Sequence, residues 1–248
     1  MKASFDDRIS RAIELSKTFP AASELLVFYQ QLAQFQKTIF EELRSKDDTD
    51  ILSLTSYFPA LLKLVSRAGP EPLARFGDNL RPVQAQTELL SACWEDSADG
   101  ESGRFYGRVL LQPYAEHLAL RGQIDFAAGA STCPFCSARP VAGVLRGEGD
   151  GASRQLLCSL CSTEWPFRRV ICPNCGEQDK DSLPIYTSPD FEHVRVDACD
   201  SCQTYIKSVD LTRNGRAVPV VDELATVALS IWADNNGYAK LETNLLGM

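Results

Sequence analysis

Eight of the nine cysteines fall into four Cys-x-x-Cys pairs: CPFC at 133–136, CSLC at 158–161, CPNC at 172–175 and CDSC at 199–202. A Cys-x-x-Cys turn puts two sulfurs on one side of a tight loop, where backbone N–H groups can stabilise thiolates. Two such turns set face to face supply four sulfurs to one tetrahedral ion, with metal–sulfur bonds of about 2.3 Å. The first and third pairs lie 39 residues apart and the second and fourth 41 apart, so the array reads as a tandem duplication. Residues 137–157 and 176–198 are long enough to form strands that carry each second turn back to its first, as in zinc ribbons and rubredoxin-like knuckles. Cys133, Cys136, Cys158 and Cys161 are therefore expected to bind one ion, and Cys172, Cys175, Cys199 and Cys202 another. Zinc and iron both accept such a shell, and the spacing leaves the choice open.

Other uses of the cysteines fit less well. A disulfide framework suits an oxidising compartment. A thioredoxin-type dithiol needs one pair at the start of a helix, not four. Pairing 158/161 with 172/175 would leave ten residues between the pairs and ignore the repeat. A four-cysteine iron–sulfur cluster would use the same thiolates, but paired ribbon spacing favours single ions. A closed four-cysteine shell keeps no position for water, so such a centre is structural or electron-transferring rather than hydrolytic. Cys93 stands alone in a helical pattern and reads as a small buried hydrophobe. His117 and His193 have no cysteine or carboxylate at a motif spacing, and Trp94, Trp165 and Trp232 read as core or boundary residues. With no glycine-rich phosphate loop, nucleophile elbow or paired carboxylates, no catalytic residue is assigned, and the chain is expected not to be an enzyme.

The elements that must position these sulfurs divide the chain of 248 residues, whose 44 % apolar and 23 % charged content suits a globular core. Residues 1–126 are mostly helical in pattern. From Pro20 to Leu43, Leu25, Phe28, Tyr29, Leu32, Phe35, Ile39 and Leu43 recur at helical spacing. Asp47–Asp50 form a polar break, Pro59 starts or kinks a further helix, and Gly69, Pro70 and Pro72 mark a turn. Val83–Trp94 and Phe105–Leu120 read as two more helices, the second bent or restarted at Pro113. Composition changes after Phe126, and AAGAST (127–132) reads as a linker. Strand-prone pieces follow at 141–145, 154–157, 165–170, 183–186, 194–196 and 205–209. Asp222 is expected to cap a final helix whose apolar face carries Leu224, Ala228, Ile231 and Trp232, ended by Asn235-Asn236-Gly237. The fold class is α+β: a helical domain (1–126), two tandem rubredoxin-like or zinc-ribbon modules (131–171 and 172–215), and a C-terminal helix and tail (216–248).

The net charge is −8 and the isoelectric point near 4.9. Over 131–215, nine positive side chains face eleven negative ones, and each four-thiolate centre holding a divalent ion would add two negative charges. Nucleic acid, which rewards basic surface, is disfavoured as a partner, and another protein is favoured. The start MKASFDDRIS lacks an apolar leader region, and no run approaches the roughly 18–20 apolar residues of a membrane span. A cytoplasmic location without membrane insertion is expected.

Longer stretches carry a resemblance. RAIELSKTFPAASELLVFYQQLAQFQ (11–36), LQPYAEHLAL (111–120), CQTYIKSVDL (202–211) and DELATVALSIWADNNGYAKLETNLLG (222–247) resemble the formate dehydrogenase accessory protein FdhE family. The resemblance implies a helical domain followed by two rubredoxin-like metal domains, with rubredoxin-type iron, or zinc, on the eight cysteines. It implies a cytoplasmic accessory factor needed for active formate dehydrogenase and acting on that enzyme's catalytic subunit. A redox role for iron, or a zinc ribbon that binds nucleic acid, are the alternative readings. One departure is visible: glycine follows the second cysteine of a pair only at Gly176, while Ser137, Ser162 and Gln203 follow the others, so those turns are expected to differ slightly.

Overall fold

The computed structural model describes residues 3–45, 50–122, 129–149 and 151–248. The polar break at 47–49, the linker's first residues 127–128 and the domain edge at 126 lie outside the described residues.

Helix α1 (Phe5–Thr18) begins in a reciprocal cap: Asp7 N–H donates to Ser4 Oγ (3.1 Å), and Ser4 N–H to Asp7 Oδ2 (2.9 Å). The helix expected from Pro20 starts as a 3-10 turn over Pro20–Ala22 and runs into α2 (Ser23–Arg44). Leu26, Phe28, Tyr29, Leu32, Ile39 and Leu43 form its buried face, with Leu25 and Phe35 half-buried at its margins. Helices α3 (Phe58–Ala68), α4 (Glu71–Gly77), α5 (Val83–Trp94) and α6 (Glu101–Arg121) complete the bundle.

Helix α6 does not restart at Pro113. A proline removes the N–H that would bond the carbonyl four residues back. Here that carbonyl is Val109 O, and the buried Gln36 amide of α2 donates to it at 3.0 Å. The replacement donor comes from another helix, which is why α6 continues.

Seven strands follow: β1 (Pro140–Glu148), β2 (Gly151–Cys158), β3 (Glu164–Pro166), β4 (Ile185–Thr187), β5 (Val194–Cys199), β6 (Thr204–Asp210) and β7 (Ala239–Lys240). They build one sheet in the order β3-β2-β1-β6-β5-β4, with β7 pairing with β6. Each repeat contributes three antiparallel strands, and the repeats join where β1 runs parallel to β6 in the register Ala142–Lys207 to Leu145–Asp210. Gly143 sits on that seam. A Cβ there would lie 2.2 Å from Ser208 Oγ and 3.5 Å from Arg154 Nε. Its absence lets Arg154 of β2 reach over β1 to within 3.4 Å of Asp197 on β5.

The C-terminal segment departs from the expected single helix. It forms α7 (Pro219–Ala225) and α8 (Val227–Asn235), broken at Thr226. Asp222 is not the N-cap; Val218 is, with Pro219 in the first turn. Asp222 instead reaches back from inside the helix, and its Oδ2 accepts from Val218 N–H at 2.7 Å. The break also changes which face is buried. Leu229 and Ala233 point inward on α8, while Ala228 and Ile231 are exposed. Helical periodicity cannot be read across a change of axis. Val221 and Leu224 of α7 join Leu26, Phe58, Leu61 and Tyr106 in the bundle core, so the chain's last quarter closes back onto its first.

Buried polar contacts bind helices to one another across the fold. Arg8 meets Glu116 of α6 in a two-pronged pair (2.8 and 3.0 Å), and Arg11 meets Asp222 of α7 likewise (3.0 and 2.6 Å). Among the described residues no helix is long and apolar enough to cross a membrane.

Candidate metal centres

The eight paired cysteines gather into the two expected groups of four, each with its sulfurs within 4.8 Å of one another. Four sulfurs about 2.3 Å from a common centre would sit about 3.8 Å apart. In the second group the Cys172–Cys202 and Cys175–Cys199 separations are both 3.7 Å. In the first group they are slightly tighter, with Cys133–Cys161 at 3.5, Cys136–Cys158 at 3.4 and Cys136–Cys161 at 3.6 Å. Four soft sulfur donors at tetrahedral spacing fit zinc or ferrous and ferric iron, and do not fit magnesium or calcium, which take oxygen.

All four turns share one backbone form. Ser137, Ser162, Gly176 and Gln203 each follow a pair's second cysteine, and each has positive φ, at 61°, 52°, 78° and 54°. The expected difference at the three non-glycine turns is therefore absent. The knuckle hydrogen bonds recur too: Ser137 N–H donates to Cys133 O (2.9 Å) and Gly176 N–H to Cys172 O (3.0 Å). Left-handed backbone costs a side-chain-bearing residue about 1–2 kcal/mol, partly offset by the entropy glycine loses. Ser137 is exposed, so Ser137→Gly is expected to stabilise the protein by about 0.5–1 kcal/mol, read as a small rise in thermal midpoint with both metal ions retained.

Amides and hydroxyls face the sulfurs. Leu160 and Cys161 N–H donate to Cys158 Sγ (3.3 and 3.4 Å), and Asn174 N–H to Cys172 Sγ (3.4 Å). The Thr163 hydroxyl lies 3.1 Å from Cys161 Sγ, and the Thr204 hydroxyl 2.9 Å from Cys202 Sγ. These two threonines occupy matching positions in the repeats, two residues past the last cysteine. The Cys-x-Thr echo (161–163 and 202–204) was present in the sequence and marks an outer layer of ligand support. Within each quartet the sulfurs share protons unevenly. Burial opposes ionisation of Cys202, yet Thr204, Asn174 and the neighbouring thiols bring it down to about 6, while burial pushes Cys199 up to about 12. A divalent ion would replace the shared protons.

The two centres differ in setting. In the first, Cys133, Cys158 and Cys161 are buried, and they pack with Leu156, Trp165, Phe167 and Ala115 of α6. Gln112 Nε2 donates to Ser159 O (2.8 Å) and Ser162 Oγ to Glu116 Oε1 (2.8 Å), so the second turn of this centre is fastened to α6. In the second, Cys175 is exposed and Cys202 half-buried.

The remaining candidates are structural. Cys93 packs against Gly107 of α6, and burial pushes its thiol up to about 11. His117 is buried, and burial lowers its pKa. His193 does have a carboxylate partner: its Nε2 lies 2.7 Å from Asp222 Oδ1. No local pattern signals a pair that folding brings together across 29 positions.

Comparisons with known proteins agree with this architecture. Residues 132–169 match the FdhE central domain and residues 170–246 the FdhE C-terminal domain. A protein FdhE homolog from Aquifex aeolicus is 27 % identical over 96 % of this chain and 94 % of its own length. One from Pseudomonas putida is 36 % identical over 50 % of this chain and 41 % of its own length. The crystal structure of the FdhE protein from Pseudomonas aeruginosa shares the fold with a TM-score of 0.78 at 22 % identity, covering 99 % of this chain and 97 % of that one. Adjoining matches that hold all four cysteine pairs give this chain the FdhE central and C-terminal domains, and an FdhE homolog resembles it nearly end to end.

Proposed function

We propose that this chain is a cytoplasmic accessory factor that docks on the catalytic subunit of formate dehydrogenase and is required for that enzyme's activity, without being an enzyme itself. The observation that carries the reading is similarity to an FdhE homolog over almost the whole chain, with FdhE domain matches over residues 132–246. The paired centres support it. A four-cysteine shell leaves no site for substrate, so an ion held by Cys133, Cys136, Cys158 and Cys161, or by Cys172, Cys175, Cys199 and Cys202, would serve to fix a small ribbon in shape. The units 1–126, 131–171, 172–215 and 216–248 belong to the same proposal, with the metal ribbons and the helical unit together forming the docking face. Co-purification of tagged full chain with the catalytic subunit tests it. Capture by the metal-loaded chain and loss of capture by a Cys172→Ser/Cys175→Ser variant are expected; equal capture by both would refute the role given to the second ion.

A second reading has one observation in its favour, the exposure of Cys175 at the second centre. With iron there, an electron could pass to a docked protein. The absorption spectrum of anaerobically purified protein separates the readings: a colourless protein carries zinc and removes the redox reading, while a red oxidised form carries iron.

A further inference from the structure

The two centres present different sulfurs to their surroundings. At the first, no cysteine is exposed: Cys133, Cys158 and Cys161 are buried and Cys136 is half-buried. At the second, Cys172 and Cys199 are buried and Cys202 is half-buried, while Cys175 is exposed. Oxidants attack a cysteine as its thiolate, and only where they can reach it. Metal coordination deprotonates a thiol outright, so a loaded second centre offers one reachable thiolate.

What lies behind Cys175 decides the product. Its neighbour across the centre is Cys199, with the two sulfurs 3.7 Å apart. Side-chain rotation has to close that gap to the roughly 2.05 Å of a disulfide. The two knuckles are also tied to each other without an ion, because Ser201 Oγ donates to Glu177 Oε2 at 2.6 Å. Glu177 is itself fixed, accepting from the N–H groups of Gln178 (2.8 Å) and Asp179 (2.9 Å). Cys199 is thereby kept beside Cys175 independently of the metal.

We propose that the second centre is a thiol modification site, at which a hydroperoxide converts Cys175 and Cys199 into a disulfide and frees the bound ion, while the first centre is kept. The Cys175 sulfur attacks the peroxide: an S–O bond forms, the O–O bond breaks and one hydroxide leaves. The Cys199 thiolate then attacks the Cys175 sulfur, forming the S–S bond and expelling the second hydroxide. The two sulfurs give two electrons to the peroxide, and two solvent protons turn the hydroxides into water. Cys172 and Cys202 alone are then left to hold an ion, half of a closed shell. The proposal rests on the metal assignment of this centre and not on the accessory role.

The zinc-loaded full chain, with two ions bound, is treated with one equivalent of hydrogen peroxide. A chromophoric chelator follows released zinc, and peptide mass mapping locates disulfides. Release of one ion per chain, a Cys175–Cys199 disulfide, and recovery of the ion with a dithiol reductant and zinc are expected. Release from the first centre should be at least about tenfold slower, because its sulfurs are reached only after local opening. The exposed Ser201 is not a ligand, so Ser201→Ala should hold two ions yet form the disulfide about threefold more slowly. Loss of both ions at equal rates, retention of both, or a disulfide between any other pair overturns the proposal. So does a sulfinate on Cys175 that no dithiol reverses.

Discussion

Replacing Cys158 with serine is expected to remove one metal ion per chain and to destabilise far more than the turn that held it. A structural ion of this type contributes about 10–16 kcal/mol of apparent binding free energy in isolated zinc-finger peptides. Even a fraction of that is large against the roughly 5–15 kcal/mol by which a domain is stable. Cys158 ends β2, its N–H donates to Thr163 O (2.9 Å), and its sulfur accepts two amides. The next residue is fixed on both sides: Ser159 N–H donates to Arg139 O (3.1 Å), and Ser159 O accepts from Gln112 (2.8 Å). Gln112 Oε1 in turn accepts from Gln36 of α2 at 3.0 Å. Loss of the ion should therefore loosen α6 and α2 along with the ribbon. Cys175→Ser provides the contrast. It too should lose one ion, but Cys175 is exposed and that knuckle is not among those tied to α6, so the helical core should survive. Elemental analysis for metal per chain, together with thermal unfolding followed by far-ultraviolet circular dichroism, gives both answers. Retention of two ions by Cys158→Ser would remove it from the ligand set. Equal losses of thermal midpoint in the two variants would show that the contacts to α6 do not couple the first centre to the bundle.

The sulfur quartets were legible in the sequence because each depends on residues three apart and on a repeat that preserves its own spacing. The turn conformation was less legible. Glycine is the usual sign of positive φ, and three of the four turns adopt it without glycine; closure of the knuckle around its cysteine overrides the local preference. Contacts between distant segments were not legible at all. Pro113 looked like a break because its compensating donor, Gln36, belongs to another helix. Asp222 looked like a cap because aspartate before an apolar run often is one, yet it serves Arg11, His193 and the Val218 amide together. The two-residue β7 and the parallel seam between β1 and β6 are products of tertiary pairing, and only the small residue at Gly143 hinted at a crowded crossing.

The second large effect is expected at Glu223, where Glu223→Gln should lower stability by about 3–5 kcal/mol at neutral pH, the usual cost of breaking a buried ion pair from one side. Glu223 is fully buried in α7 and faces two cations. Lys207 Nζ of β6 lies 2.9 Å from its Oε1, and Lys240 Nζ of β7 contacts the same oxygen. Asn244 donates to Oε2 at 2.9 Å. The group thus fastens α7, the sheet and the C-terminal tail at one point. A glutamine keeps the shape but leaves Lys207, itself only 1 % exposed, without a neutralising charge. The same geometry fixes a pH dependence. Burial opposes ionisation of Glu223, but Lys207 and Lys240 outweigh it and hold the carboxyl at about 2 against an ordinary 4.5. The unfolded chain therefore binds a proton before the folded chain does. The contribution of Glu223 is fully present above about pH 4.5 and is lost as pH falls toward 2. Asp222 acts in the same direction: burial again opposes ionisation, while His193 and Arg11 hold its carboxyl below the usual range. Urea midpoints measured from neutral pH down to about pH 3 should fall steeply below about 4.5 in the parent and less steeply in Glu223→Gln, so that the two curves converge with acid. Parallel curves would mean that the Lys207–Glu223–Lys240 cluster gives no net stabilisation from its charge, and that its hold on α7 comes from shape and hydrogen bonding alone.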